Sequence, residues 1–231
     1  MNLPISRRLL ACCDFIRPGD RVADVGCDHG YLGIHLLIQG VADSVIASDA
    51  RPMPLQSAVS NAEKFGVSEK MRFFCCDGVT GLPHDFDVLV CAGMGADTIV
   101  SILEAAPWLR GGEHRLVLQC QSKRPMLRRF LSEQGWHIRR ESILRDGRFL
   151  YTVMDAHFEP AAPLTPGEWY IPPCMRQARD ELLPEFFEQV TRLLEKSVSG
   201  QGENADPMMR QALSELIAWS QTPMPCKGEL P

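Results

Sequence analysis

The chain has 231 residues, of which 45% are hydrophobic and 23% charged, with a formal net charge of −5. That apolar fraction excludes wholesale disorder, and no uncharged apolar run approaches the roughly 20 residues that span a bilayer. The acidic balance argues against a protein that coats nucleic acid over its whole surface.

In chain order, Met1 to Arg8 lacks a cleavable apolar core and reads as mature, cytoplasmic protein. Ser6 to Ile16 predicts a short amphipathic helix, and Pro18-Gly19-Asp20 ends it. Residues 21–25 form a short β-run that stops at Gly26, and 31–40 form the following helix. A buried strand over 44–47 ends at Asp49, and a helix follows over 54–65. Strands over 71–75 and 86–91 end at Asp77-Gly78 and at Ala92-Gly93-Met94-Gly95. A helix over 97–106, a strand over 115–119 and a helix over 125–134 complete the alternation. Residues 136–144 and 148–154 predict an antiparallel pair around Asp146-Gly147. Five prolines between Pro160 and Pro173 mark a linker. Helices over 174–197 and 206–219 follow, with a flexible loop at 197–204 between them and a frayed tail over the last eleven residues.

Strands that are apolar throughout, alternating with helices, predict an α/β fold: a Rossmann-like parallel sheet covered on both faces. The expected division is residues 1–157 as this domain and 158–231 as a helical C-terminal domain. The apolar stripe of Leu182, Leu183, Phe186, Phe187, Val190, Leu193 and Leu194 packs either onto 206–219 or between two subunits of a homodimer.

Nine cysteines occur, at 12, 13, 27, 75, 76, 91, 120, 174 and 226, with no Cys-x-x-Cys spacing. They read as reduced thiols acting as small hydrophobes, and no metal is expected. Charge is uneven. Residues 110–148 carry ten Lys and Arg against four Asp and Glu, whereas 155–231 carry six against twelve. The basic stretch leaves room for a local polyanion site.

Ligands of open parallel sheets bind at the carboxyl ends of the strands, and four strand ends here carry glycine or an acid. The first is a Gly-x-x-x-Gly turn, Gly26 to Gly30, with Asp24 before it and Asp28 where a dinucleotide fold wants its second glycine. No Gly-x-Gly-x-x-Gly occurs, which disfavours a pyrophosphate cofactor and a nicotinamide dehydrogenase. Asp28 repels phosphate and tolerates a zwitterion. Asp49, about twenty residues on, suits a ribose diol, and Asp77 suits an exocyclic adenine amine. An adenosyl group without phosphate that bears an amino acid is S-adenosylmethionine.

Residues Asp24-Val25-Gly26-Cys27-Asp28-His29-Gly30-Tyr31-Leu32, Asp77-Gly78 and Ala92-Gly93-Met94-Gly95 resemble the signature segments of the TrmK family of bacterial tRNA adenine-N1 methyltransferases, over about Leu3 to Met154. The resemblance implies a Rossmann-like class I methyltransferase sheet with a coiled-coil-like C-terminal extension, and methyl transfer to N1 of adenine 22 in tRNA. It implies cofactor contacts from Asp24, Gly26, Asp28, Gly30, Asp49, Ala50, Asp77, Gly78 and Ala92 to Gly95, with Gly93 and Met94 in the turn. Asp28, His29 and Tyr31 are the catalytic candidates. The chain departs from the family at Ala96, Gly30 and Gly33. It also has Gln119-Cys120-Gln121 where the family usually reads Gln-Pro-Asn, beside the expected target base. Arg7, Arg8, Lys123, Arg124, Arg128 and Arg129 are the candidate RNA contacts, the last three at helical spacing. The alternatives are a methyltransferase acting on another RNA or a small molecule, and a SAM- or RNA-binding protein without turnover.

Overall fold

The computed structural model describes residues 3–178 and 180–221. Cys226 and the expected frayed tail from residue 222 onward lie outside the described residues. Fifteen elements follow in order: α1 (Arg7–Cys13), β1 (Asp20–Val25), α2 (Tyr31–Ile38), β2 (Ala42–Asp49), α3 (Pro52–Lys64), β3 (Met71–Cys75), β4 (Val88–Gly95), α4 (Ala96–Glu104), β5 (Arg115–Ser122), α5 (Arg124–Glu133), β6 (Trp136–Asp146), β7 (Phe149–Phe158), α6 (Pro173–Gln177), α7 (Leu183–Gln201) and α8 (Pro207–Ser220).

The strands form one sheet in the order β3-β2-β1-β4-β5-β7-β6. The first five are parallel. The β6–β7 hairpin adds the antiparallel edge through β5. Helices cover both faces, so the strands need apolar side chains on both sides. One face packs Ala23, Leu89, Leu116 and Leu118 against Ile99 and Leu127. The other packs Val22, Val88, Val90 and Val117 against Cys12, Leu32 and Leu36. Each Leu, Val or Ile among them, once buried, stabilises the fold by about 1.5–3 kcal/mol. Among the described residues no helix is long and apolar enough to cross a membrane.

A third cluster joins Ile143 and Leu150 of the hairpin to Ile171, Met175, Leu183, Phe186, Leu194 and Leu216. The stripe on α7 is therefore largely consumed within the chain, although Leu193 stays 65% exposed. The helix expected over 174–197 is two helices, because Pro184 fits only the first turn of a helix. Asp180 fills the break, accepting from the Leu182 N–H (2.9 Å) and the Ile143 N–H (3.1 Å). The loop expected at 197–204 is helical to Gln201 and ends at Gly202, whose φ is +55°. The eight cysteines within the described residues are all free thiols, and burial pushes the Cys91 thiol up to about 12.

Candidate active site at the strand ends

The winding of the sheet reverses between β1 and β4, and a cleft of about 540 Å³ opens over their carboxyl ends. Asp24, Gly26 and Asp28 line it from β1, Asp49 and Ala50 from β2, Asp77 and Gly78 from β3, and Ala92, Gly93 and Met94 from β4. Ten of the twelve expected cofactor-contact positions thus meet in one cleft.

The glycine turn is shaped by close approach. Gly26 has φ +69°, and a Cβ there would run into the methyl group of Met94. Asp28 takes φ +50°, a left-handed conformation that Asp tolerates better than most residues. Its N–H donates to Asp49 Oδ2 (3.2 Å), and the Arg51 N–H donates to Asp49 Oδ1 (2.9 Å). Asp49 is buried and holds two loops together, with a lone pair left on each oxygen for a diol.

Two side chains of the cleft keep unpaired polar atoms in the interior. Asp24 Oδ2 has no partner, and burial, helped by the charge of Asp49, raises the Asp24 carboxyl to about 7. Gln119 is fully buried on β5. Its Oε1 accepts from the Gly93 N–H (3.1 Å), and its Nε2 has no partner. Asp24 pairs with Val90, and Gln119 pairs with Ala92. Val90 and Ala92 point the same way, so Asp24 and Gln119 share one face of the sheet. Four carboxylates, an unpartnered buried acceptor and a glycine-lined floor fit an adenosyl amino acid with an ammonium group, and they disfavour a phosphate-rich ligand.

The other expected residues stand elsewhere. Gly30, with φ +72°, caps α2, and a Cβ on it would lie 3.0 Å from Ala58 Cβ. It serves the contact of α2 with α3. Gly95 opens α4. His29 and Tyr31 do not line the cleft. The His29 ring lies 3.6 Å from Asp28 Oδ2 and 5.6 Å from the Tyr31 ring, at the exposed rim.

Among the basic candidates only Arg8 lines the cleft, with its Nε 3.1 Å from Asp146 Oδ2 and its guanidinium 5.1 Å from the Tyr151 ring. Arg7 is exposed. Lys123 and Arg129 are exposed and paired with Asp97 and Glu133. Arg128 is a correction. It is 1% exposed and bound to Glu141, so it cannot meet a phosphate. Arg124 faces inward as well, donating to the Leu150 carbonyl (3.1 Å) and lying over the Phe186 ring. The helical spacing that places these two together directs them at the C-terminal helices.

Ser6, Leu9, Thr98, Gln119 and Gln121 also line the cleft; Gln119 and Gln121 belong to the segment expected beside the target base, and the other three were not expected. A signal existed for Gln119: an amide interrupts the otherwise apolar run Leu116-Val117-Leu118 and Cys120. Ser6 and Leu9 carry no comparable mark, because their approach depends on where α1 packs.

The sequence model of the methyltransferase-domain family matches residues 5–154. The tRNA (adenine(22)-N(1))-methyltransferase of Bacillus subtilis is 30% identical over 156 residues, covering 67% of this chain and 66% of that protein, just short of two thirds of its length. Among solved structures, Sp1610 of Streptococcus pneumoniae in complex with S-adenosyl-L-methionine superposes with a TM-score of 0.80 at 28% identity, covering 93% of this chain and 98% of the other. The B. subtilis m1A22 tRNA methyltransferase TrmK superposes with a TM-score of 0.76 at 25% identity, over 95% and 97% of the two chains.

Proposed function

Because the chain belongs to the methyltransferase-domain family and, within it, to the TrmK family, we propose that it transfers a methyl group from S-adenosylmethionine to N1 of an adenine in tRNA, at position 22. The observation that carries this reading is the convergence of Asp24, Asp28, Asp49 and Asp77 on one cleft beside the Gly93 turn. When bound, S-adenosylmethionine supplies a methyl group on a sulfonium leaving group. Asp49 takes the ribose diol, Asp77 the adenine amine and Asp24 the ammonium.

Adenine N1 has a free lone pair, so no base is needed before attack. The work of the protein is alignment and support for the positive charge that grows on the purine. Of the three catalytic candidates, Asp28 alone borders the cleft, and its carboxylate takes that role. His29 and Tyr31 shape the rim. The target adenine must leave its stack to enter, and Arg7, Arg8 and Lys123 supply phosphate contacts. Apart from the exposed Leu193, the α7 stripe packs within the chain, which favours a helical appendage over a dimerisation element.

The test is methyl transfer from labelled S-adenosylmethionine to an unmodified tRNA pool, with nucleoside analysis. The wild type is expected to form 1-methyladenosine and Asp49→Ala to lose it. Cofactor binding by calorimetry without any tRNA product would refute the assignment of the acceptor.

A further inference from the structure

We propose that Gln119 reads the target base, its buried amide pairing with the N6/N7 edge of an adenine so that N1 stays free for the methyl group. This inference rests on the function proposed above. Its basis is chemical bookkeeping at one side chain. The Gly93 N–H is a donor, so the Gln119 atom facing it must be the oxygen. The amide orientation is thereby fixed, and the NH₂ is the atom left over. That NH₂ is buried without a partner, a condition that native interiors rarely keep. Oε1 retains a second lone pair.

The free donor and the remaining acceptor of an amide match N7 and the N6 amine of adenine, the pairing by which Gln reads adenine in nucleic acids. Guanine would set O6 against Oε1, two acceptors facing each other. A cytosine or uracil has no ring acceptor at the N7 position.

The position in the sheet points to the substrate and not to the cofactor. Asp49 and Asp77 stand at the ends of β2 and beyond β3, and Asp24 stands on β1. Gln119 is on β5, two strands further from β1 in the order β1-β4-β5, or about 10 Å. It lies beyond the Gly93 turn, away from the strands that carry the acids assigned to the cofactor. Gln121 overlies this region, with its Nε2 3.4 Å from where a Cβ on Gly93 would be, and it lines the cleft too.

The test uses full-length protein and tRNA ligated to carry adenine or 7-deazaadenine at the methylated position. The 7-deaza base keeps N1 and loses the N7 acceptor. With wild type, kcat/KM and the tRNA affinity measured by filter binding are expected to fall about 10-fold or more on 7-deaza substitution, the scale of one buried hydrogen bond left unmade. Gln119→Glu keeps an oxygen for the Gly93 N–H and loses the NH₂, so it is expected to be slow on adenine and indifferent to the 7-deaza change. Gln119→Met serves as a second variant. Each variant is checked for unchanged affinity for S-adenosylmethionine. Equal rates for wild type on both bases would overturn the proposal while leaving the methyltransferase assignment intact. So would a loss of cofactor affinity in Gln119→Glu. Absence of methyl transfer to adenine tRNA by wild type would instead overturn the function on which the proposal stands.

Discussion

Arg128 and Glu141 form a two-pronged ion pair inside the protein, with Nη2 to Oε1 at 2.7 Å and Nε to Oε2 at 3.0 Å. Their side chains are 1% and 0% exposed. The remaining Nη1 of Arg128 donates to the carbonyls of Trp169 (2.8 Å) and Tyr170 (3.0 Å). One guanidinium thus ties α5 to β6 and to the segment that leads into the C-terminal helices.

Removing one partner of this pair leaves an uncompensated buried charge. Arg128→Ala is expected to destabilise the protein by about 3–5 kcal/mol. Replacing both partners with apolar residues, Arg128→Met with Glu141→Leu, is expected to cost less than either single change. Denaturant unfolding of Arg128→Ala, Arg128→Met, Glu141→Leu and the double variant measures this. Additive losses in the double variant would show that the pair is not a coupled unit.

Asp24 sets a pH dependence with two opposite signs. Its folded carboxyl titrates at about 7, against about 4 in an unfolded chain. Between those values the folded state binds the extra proton, so the stability of the ligand-free protein falls as pH rises from about 4 to about 7 and then levels off. An ammonium partner needs the ionised carboxylate, so the stabilisation by S-adenosylmethionine is expected to grow over the same window. Thermal melts at pH 6 and pH 8, with and without ligand, are the measurement. Asp24→Asn should flatten both trends.

Gly26→Ala meets two obstacles: the left-handed φ of +69° and the Met94 methyl. A drop in cofactor affinity of about 10-fold is expected, with a lower Tm. Adding Met94→Ala relieves the collision and leaves the backbone strain of about 1–2 kcal/mol, so rescue should be partial. Full rescue by the second change would show that the conformation of Gly26 is unimportant.

Arg8 and Arg129 should separate in tRNA binding. Both are paired, Arg8 with Asp146 (3.1 Å) and Arg129 with Glu133 (2.7 Å), but of the two only Arg8 lines the cleft. Arg8→Ala is expected to weaken tRNA binding about 10-fold and to lower the salt slope of log K by about one phosphate contact. Arg129→Ala should change both much less. Affinities measured across a salt series test the order.

Much of the fold is legible from the chain because burial on both faces leaves a plain trace: apolar runs that stop at glycine or an acid. The same stops mark most of the cleft, since strand ends and ligand contacts coincide in a parallel sheet. Arg128 was misread because helical spacing gives the neighbours on a face and not the side of the molecule to which that face turns. Only the path of the chain through Trp169 and Tyr170 makes that face an inner one. The break before α7 was present in Pro184, but an apolar stripe running through 182–194 masks it. Gln119 belongs to a different class. Its significance is an atom without a partner, and partners are set by tertiary contacts.

Asp49 has a consequence for throughput. Its two oxygens already hold the backbone N–H groups of Asp28 and Arg51, so the mouth of the cleft is shaped in advance. Its grip, like that of Asp24, falls on the ribose and amino-acid ends of the proposed ligand. Those ends are the same before and after the methyl group has left. Only the sulfonium charge, lost with the methyl group, distinguishes fresh reagent from spent by-product in a pocket of this kind. The rate of the reaction proposed here would then follow the ratio of the two in the surrounding solution, and accumulated S-adenosylhomocysteine would act as a brake.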